Sequence, residues 1–347
     1  YNNAPSMRRA TSIWIVIMMA ALSLQTAAGQ DLEYTQFYLN LPGTNPGFTG
    51  LEDFWDLKIS FRQGQNNFNV KNKSYFVSAY GIINPSSQAT LKNNTLRISD
   101  PNLYDKITEN KEVKRKVLQR HGVGGMVSSR EVGTYRLVNA NVNYAYHLPL
   151  TSELKWSLGM SIRYNSQQIG FDQVTVRDEV NDVFYRQLIS SNRGKLNTAV
   201  VDFGSAIYSE KFYAGVSSIG LVDQVLGAGD FSGALINYYS LQTGLFLKIS
   251  PNLELNPIIK LDYSKLHPLN GLVNARLNYK RIAYVGIGYQ STGKLSGMMG
   301  FTLNGNASLN YSYDHYLTAL SSFNVNVHEI VLGIGLFNKY RLNSKIW

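Results

Sequence analysis

About fourteen segments of this chain, each roughly ten residues long, alternate apolar with polar side chains. Lipid offers the backbone no hydrogen-bond partners, so only helices and closed β-barrels cross a membrane. Alternation in pieces of about 9–11 residues matches the period and length of a membrane-spanning strand. The pattern predicts an all-β fold, a transmembrane antiparallel β-barrel of about 14 strands with an N-terminal periplasmic or plug-like segment. A soluble β-sandwich, whose strands are mostly about 5–6 residues long, is the competing fold.

The segment from Lys155 to Asn165 shows the alternation most clearly, because every second residue from Trp156 to Tyr164 is apolar. A period of two places the two sets of side chains on opposite faces of a sheet. Applied along the chain, this rule predicts strands at 56–63, 74–82, 121–128, 134–148, 153–169, 196–208, 212–221, 236–249, 253–263, 271–279, 282–290, 294–303, 307–318 and 327–337.

The first part of the chain has the three parts of a secretory signal peptide. A basic Met7-Arg8-Arg9 precedes an apolar run from Ile13 to Leu24, and small residues follow before Gln30. A short membrane anchor is the alternative, although the run is shorter than a typical span. We therefore predict three regions: 1–29 as signal peptide with preceding residues, 30–55 as an N-terminal motif segment, and 56–347 as the barrel.

The composition restricts both chemistry and partners. The chain has no cysteine, which excludes disulfides, thiolate metal sites and lipoprotein acylation. Its formal net charge of +10 favours acidic partners or the phosphates of lipopolysaccharide at a lumen or rim. An exported protein meets little nucleic acid, so no nucleic-acid partner is expected.

The polar faces of the predicted strands carry charges of both signs. We expect these side chains to form ion pairs that fill the lumen and not a pore lined by one sign of charge. The charged positions assigned to the lumen are Arg163, Asp202, Lys248, Glu254, Lys260, Asp262, Arg276 and Asp314.

Two long connections interrupt the strands. Residues 84–120 contain a charged stretch that suggests a short surface helix, which is either a solvated face or a docking element. If the N-terminus is periplasmic, this connection lies at the periplasmic end, where turns are normally short. Residues 170–195 form a polar connection of mixed charge that would be extracellular.

Recognised catalytic motifs are missing from the sequence. The five histidines lie in no HExxH or HxxEH arrangement, and no GxSxG elbow occurs. Asp314 precedes His315, and His328 precedes Glu329, but neighbours on a strand point to opposite faces and cannot form a ready-made dyad. We expect no enzymatic activity and no catalytic residue, cofactor or metal.

The mature N-terminus carries a recognisable pair of motifs. Gln30-Asp31 is followed by Tyr34-Thr35-Gln36-Phe37-Tyr38, and then by Asn45-Pro46-Gly47-Phe48-Thr49-Gly50. This resembles the PorP/SprF family of outer-membrane proteins, which typically begin QD-P-x-[FY]-[ST]-Q-[FY] and continue to N-P-[AG]-[FLY]-x-G. Leu32 stands where the family usually has proline.

The C-terminal region agrees with the resemblance. Tyr311-Ser312-Tyr313-Asp314, then Leu320 to Asn324, then His328-Glu329-Ile330 are similar to the family's YSYD, LSS[YF]N and HEI blocks. Asn326-Val327 replaces the usual pair of small residues before His-Glu, and the 84–120 insertion is long for the family.

The resemblance implies a barrel in the cell outer membrane that belongs to the type IX secretion and gliding-motility machinery. Its partners would be type IX components, a large adhesin-like secreted protein, and outer-membrane lipid and lipopolysaccharide. The barrel would assist export or anchoring of that protein, or link to the periplasmic ring. The alternative is an outer-membrane pore or transporter for small or hydrophobic solutes. The motif positions expected to contact a partner or a plug are Gln36, Phe37, Asn40, Asn45, Pro46, Gly50, Tyr313, Asp314, His328 and Glu329.

The turn chemistry of Asn45-Pro46-Gly47 would end the pre-barrel segment and lead the chain into the first strand. We hypothesise that residues 30–45 form a partial plug packed near Asp314 and Glu329. The alternative is that the motif only nucleates barrel closure.

Overall fold

The computed structural model describes residues 34–65, 72–83, 120–151, 153–170, 180–183, 186, 195–225, 237–265, 269–303, 306–317 and 326–338. The predicted signal peptide and almost all of the 84–120 insertion lie outside the described residues. So does most of the 170–195 connection. No helix within the described ranges is long and apolar enough to cross a membrane.

Fifteen strand segments form one antiparallel sheet. They are β1 (Trp55–Gln65), β2 (Asn72–Ile83), β3 (Arg120–Val132), β4 (Tyr135–Pro149), β5 (Lys155–Ile169), β6 (Lys195–Tyr208), β7 (Phe212–Val225), β8 (Tyr238–Leu245), β9 (Leu247–Ser250), β10 (Leu253–Ser264), β11 (Asn270–Tyr279), β12 (Ala283–Gln290), β13 (Lys294–Leu303), β14 (Ala307–Tyr316) and β15 (Asn326–Leu336).

The sheet closes on itself into a barrel of fourteen strands. β1 pairs with β15 from Trp55 opposite Leu336 to Gln65 opposite Asn326. β8 and β9 share one register against β10, so they are a single strand interrupted at Phe246. The prediction of a 14-strand antiparallel barrel is therefore confirmed, and closure leaves no unpaired edge.

The two ends of the barrel differ in their connections. At the end where β1 begins, strands are joined by 150–154, 209–211, 251–252 and 280–282, and we name it the short-turn end. The opposite, long-loop end carries the connections 170–194, 226–237 and 317–325. As predicted, the connection between β2 and β3 leaves from the short-turn end.

The wall follows the predicted alternation. On β5, Leu158 and Ile162 are 46% and 58% exposed, whereas Ser157 and Ser161 are 0% and 2% exposed. Successive side chains on a strand point to opposite faces, so the exposed apolar set faces lipid and the buried polar set faces the lumen.

Ion pairs fill the lumen, as the sequence predicted. Arg163 lies 2.7 Å from Asp202, and Lys260 lies 2.8 Å from Asp262. One placement in the lumen was wrong. Lys248 lies opposite Glu254 in the register but is exposed, because β9 ends beside the short turn at 251–252.

Candidate functional site

The lumen contains the chain's own residues 34–50, which we call the plug. They form three consecutive helical turns, Phe37–Asn40, Leu41–Thr44 and Pro46–Phe48, and nearly all of their side chains are buried. Prolines stand at the first turn of the second and third elements, where their fixed φ and missing N–H are tolerated.

The upstream end of the plug is held by a cluster of four charged residues, Arg62, Lys294, Asp314 and Glu329, which we call the clamp. The backbone N–H of Thr35 donates to Glu329 at 3.0 Å, and its hydroxyl donates to Asp314 at 2.7 Å. Lys294 Nζ donates to the same hydroxyl at 3.1 Å. Thr35 is therefore fixed in the half of the lumen nearer the long-loop end, where β13 begins.

Ion pairs hold the clamp itself together. Arg62 lies 3.2 Å from Asp314 and 4.0 Å from Glu329, and Lys294 lies 3.8 Å from Asp314. Two buried carboxylates are thus matched by two buried cations, which limits the desolvation cost of charges in a low-dielectric interior. Because the four residues come from β1, β13, β14 and β15, the clamp joins the first strand to the last three.

The middle of the plug is anchored by aromatic contacts. The Arg276 guanidinium lies over the Tyr38 ring at 4.0 Å and over the Tyr284 ring at 5.1 Å, a cation–π arrangement strengthened by desolvation. Tyr284 donates to the side-chain oxygen of Gln36 at 3.1 Å, and Tyr38 donates to Met298 at 3.3 Å.

Asn45 is the most connected side chain of the plug. Its amide nitrogen lies 3.3 Å from the carbonyl oxygen of Ser205, 3.2 Å from that of Val216 and 3.1 Å from the side-chain oxygen of Gln242, and its two N–H groups are shared among these three acceptors. Its oxygen accepts from the backbone of Gly47 at 2.8 Å and so caps the third helical turn. One buried amide therefore joins the plug turn to β6, β7 and β8.

Glycines in the wall let the plug backbone lie against it. A methyl group on Gly122 would overlap the carbonyl oxygen of Thr49, and one on Gly159 would overlap the backbone of Pro46. A methyl group on Gly204 would meet the side-chain oxygen of Asn45. Glycine at these three positions of the wall permits the close approach of the plug backbone.

The downstream end of the plug lies near the short-turn end. Phe48 packs edge-on against Tyr213 with centroids 5.6 Å apart, and Ser157 donates to the carbonyl of Gly47 at 2.6 Å. The His147 ring lies 2.7 Å from the carbonyl of Thr49. The plug therefore crosses the lumen from its long-loop half to its short-turn end.

The structure brings together eight of the ten motif residues named from the sequence. Gln36, Phe37, Asn40, Asn45, Pro46 and Gly50 belong to the plug, while Asp314 and Glu329 belong to the clamp. Tyr313 and His328 lie on the outer face of the wall with their rings 5.2 Å apart. They do not contact the plug, so for them only a partner contact remains as a predicted role.

Sequence reasoning did not select several residues that hold the plug. Thr35 stands inside the recognised motif, and Arg62 stands on the polar face of β1, so both had a local signal. Lys294, Arg276 and Tyr284 also face inward, but only the closed barrel shows that they meet the plug.

The side chains that surround the plug interact with it through hydrogen bonds and cation–π contacts. The described ranges hold no group of three or more metal-ligating side chains. His328 and His315 bond Tyr311 and Asn326 on the outer face, away from the clamp carboxylates, as the strand alternation predicted.

Burial raises the pKa of Tyr34, at the start of the plug, to about 12, although the nearby Arg130 cation opposes this rise. The Tyr34 phenol therefore stays neutral at physiological pH.

Solved structures of similar architecture include a hydrocarbon channel, a toluene transporter and an outer-membrane protein. The CymD monoaromatic hydrocarbon channel is 12% identical with a TM-score of 0.46, over 91% of this chain and 94% of that one. The Ralstonia pickettii toluene transporter TbuX is 8% identical with a TM-score of 0.48, over 91% and 98%. The Acinetobacter baumannii protein Omp33 is 9% identical with a TM-score of 0.45, over 83% and 100%. Likenesses this distant say nothing about ligand or activity.

No curated protein sequence matches the chain. A family model does match, and it extends over residues 26–334, from before the plug almost to the end of β15. The match includes the plug motif, the clamp carboxylates and the whole barrel wall between them. The chain therefore belongs to the family of type IX secretion system membrane proteins PorP/SprF.

Proposed function

We propose that this protein is a non-catalytic barrel of the outer membrane that serves type IX secretion by holding or recognising an exported surface protein, or by linking the periplasmic ring to the membrane. Family membership supports a role with the secretion machinery. The observation that carries the proposal is the lumen occupied by the chain's own plug. A barrel closed in this way is suited to binding partners at its ends.

The loop lengths support an orientation of the barrel in the membrane. Bacterial barrels place short turns in the periplasm and long loops outside, which puts the short-turn end and the 84–120 insertion in the periplasm. On this basis the insertion is a candidate contact for periplasmic components, and the long-loop end is a candidate contact for the secreted protein.

The membrane lipid is the third expected partner. Phe61 and Tyr75 stack on the outer face with centroids 5.3 Å apart, as in the aromatic girdles of barrels. Arg136 and Lys195 are exposed on the long-loop side of the wall and are candidates to meet lipopolysaccharide phosphates.

Co-purification tests the proposal. The tagged protein is isolated from native outer membrane in mild detergent, and the co-eluting proteins are identified by mass spectrometry. Recovery of a large secreted protein or of periplasmic ring subunits is expected, and a variant lacking residues 84–119 shows whether the insertion carries the ring contact.

Conductance separates this role from the alternative of a pore or transporter. We expect the intact protein to be closed in planar bilayers and a variant lacking residues 30–45 to conduct. Recovery of the barrel alone, together with solute flux through the intact protein in liposomes, would contradict the accessory role and favour transport.

A further inference from the structure

The outer face of the wall changes from apolar to polar toward the long-loop end, on the side formed by β14, β15 and β1 to β4. Residues paired in the strand register form rows around the wall, and residues two apart on a strand share a face. One such row is wholly apolar and consists of Ala140, Val127, Val77, Ile59, Leu332 and Leu309. Nearer the long-loop end lies a polar row on the same face, which we call the polar belt and which consists of Arg136, Glu131, Lys73, Gln63, His328 and Tyr313. The row between the two includes the stacked rings of Phe61 and Tyr75.

The polar belt presents mainly hydrogen-bond donors. Lys73 and Arg136 are cations, and Gln63 lies between Lys73 and His328 in the register. Glu131, the carboxylate of the belt, lies 3.6 Å from Arg136. Two cations with one carboxylate leave the belt with a net positive charge, which favours an anionic ligand.

His328 is oriented by its neighbour on β14. The Tyr311 hydroxyl lies 2.8 Å from His328 Nδ1. When that hydroxyl donates to Nδ1, the proton of the neutral ring is on Nε2, which then becomes a donor beside Gln63. Tyr313 and His328 are the two motif residues that lie outside the plug and the clamp, so the belt gives them a place in a binding surface.

The belt lies where the barrel wall is tall. A spanning strand needs about 9–11 residues, whereas β4 and β5 each have 15. Their outward residues nearer the short-turn end are apolar or aromatic, as at Tyr144 and Leu158, so the extra length lies at the long-loop end. On β13, which has 10 residues, the outward residue nearest that end is Leu295, which is 46% exposed. The wall that carries the belt therefore projects beyond the apolar band, and the wall at β13 does not.

A molecule that contacts both the belt and the rows beside it must be amphiphilic, with an anionic head above an apolar part. In the outer leaflet of an outer membrane, that molecule is lipopolysaccharide. We propose that the polar belt binds its phosphorylated headgroup, with Lys73 and Arg136 pairing with phosphate and Gln63 and His328 donating to phosphate or sugar oxygens. The apolar and aromatic rows contact the acyl chains. The belt reaches this leaflet only in the proposed orientation, so the inference rests on that part of the proposed function and not on the role in secretion.

Lipid binding to the purified full-length protein in detergent tests the belt. The probes are diphosphoryl lipid A, the same lipid after removal of its phosphates, and inorganic phosphate, and native mass spectrometry measures each affinity. Lys73→Met removes a cation from the belt, and Lys248→Met makes the same change at an exposed lysine near the short-turn end. His328→Phe keeps an aromatic ring and removes both nitrogens. The normal heat-modifiable mobility of each folded barrel serves as the folding control.

We expect Lys73→Met to weaken the binding of diphosphoryl lipid A about fivefold, as loss of one lysine near an anionic lipid surface does, and Lys248→Met to leave it unchanged. His328→Phe should weaken it by a smaller factor, and inorganic phosphate should not compete. Equal affinities of the Lys73→Met and Lys248→Met variants, or equal affinity of the wild type for lipid with and without phosphates, would overturn the belt as a headgroup site. Displacement of the lipid by inorganic phosphate would overturn its assignment to lipopolysaccharide. None of these outcomes changes the co-purification result, so the role in secretion is tested separately.

Discussion

Asn45 gives the sharpest test of how the plug is held. Its side chain is fully buried; its two N–H groups are shared among three acceptors of the wall, and its oxygen accepts from Gly47 within the plug. A typical buried hydrogen bond contributes about 1 kcal/mol net. We therefore expect Asn45→Ala to weaken plug docking by about 3 kcal/mol, which is about two orders of magnitude in the docking equilibrium.

The aspartate variant discriminates between the roles of the two amide atoms. Asn45→Asp keeps the oxygen that accepts from Gly47, but it replaces the donor with a charged acceptor facing the Ser205 and Val216 carbonyls. Burying an unpaired charge costs more than losing a neutral bond, so we expect Asn45→Asp to be worse than Asn45→Ala.

The assay is the frequency of open channels in planar bilayers, with reactivity of a cysteine at Ser157 as an independent measure of plug release. Asn165→Ala is a matched control, since Asn165 faces the lumen without touching the plug and its only described bond is to Thr198. An Asn45→Asp barrel as tightly closed as the wild type would refute the assignment of Asn45 as a donor to the wall.

Three further predictions follow from the same contacts. Gly122→Ala should displace the plug and raise conductance, because its methyl group overlaps Thr49, whereas Gly297→Ala, which meets open space on the outer face, should leave conductance unchanged. Arg62→Met should lower the melting temperature of the folded barrel on heat-modifiability gels, since breaking a buried ion pair costs about 3–5 kcal/mol; an unchanged temperature would contradict the clamp. The raised pKa of Tyr34 means that its neutral form favours docking below pH 10, and that this contribution is lost as pH rises through about 12. Tyrosinate absorbance of the wild type minus that of Tyr34→Phe should therefore titrate well above pH 10, and a difference that titrates at pH 10 would show Tyr34 to be solvated.

The wall of the barrel could be read from the sequence almost residue by residue. Strand β13 was predicted at 294–303 and is found at Lys294–Leu303, and the closed barrel has the predicted fourteen strands. The reason is local, because a period of two assigns each side chain to lipid or lumen without knowledge of its neighbours. The same rule explains why Tyr313 and His328 lie outside while Asp314 and Glu329 lie inside.

The plug's contacts could not be read in this way. Thr35 meets Asp314, 279 positions away along the chain, and Asn45 meets Gln242, 197 positions away. No periodicity relates such residues, because closure of the barrel and the entry of residues 34–50 into its lumen bring them together. Lys248 shows a second feature that alternation cannot predict. The alternation gives the face of the strand on which a residue lies, but it does not give the position at which the strand ends.

The sequence by itself thus determined the strand pattern, the two faces of the wall and the family, all of which depend on short-range order or on contiguous motifs. Only the tertiary structure decided that the plug forms helical turns, and that Gly122, Gly159 and Gly204 make room for its backbone. Those features depend on contacts between distant segments, and these contacts stabilise the protein only once the barrel has closed.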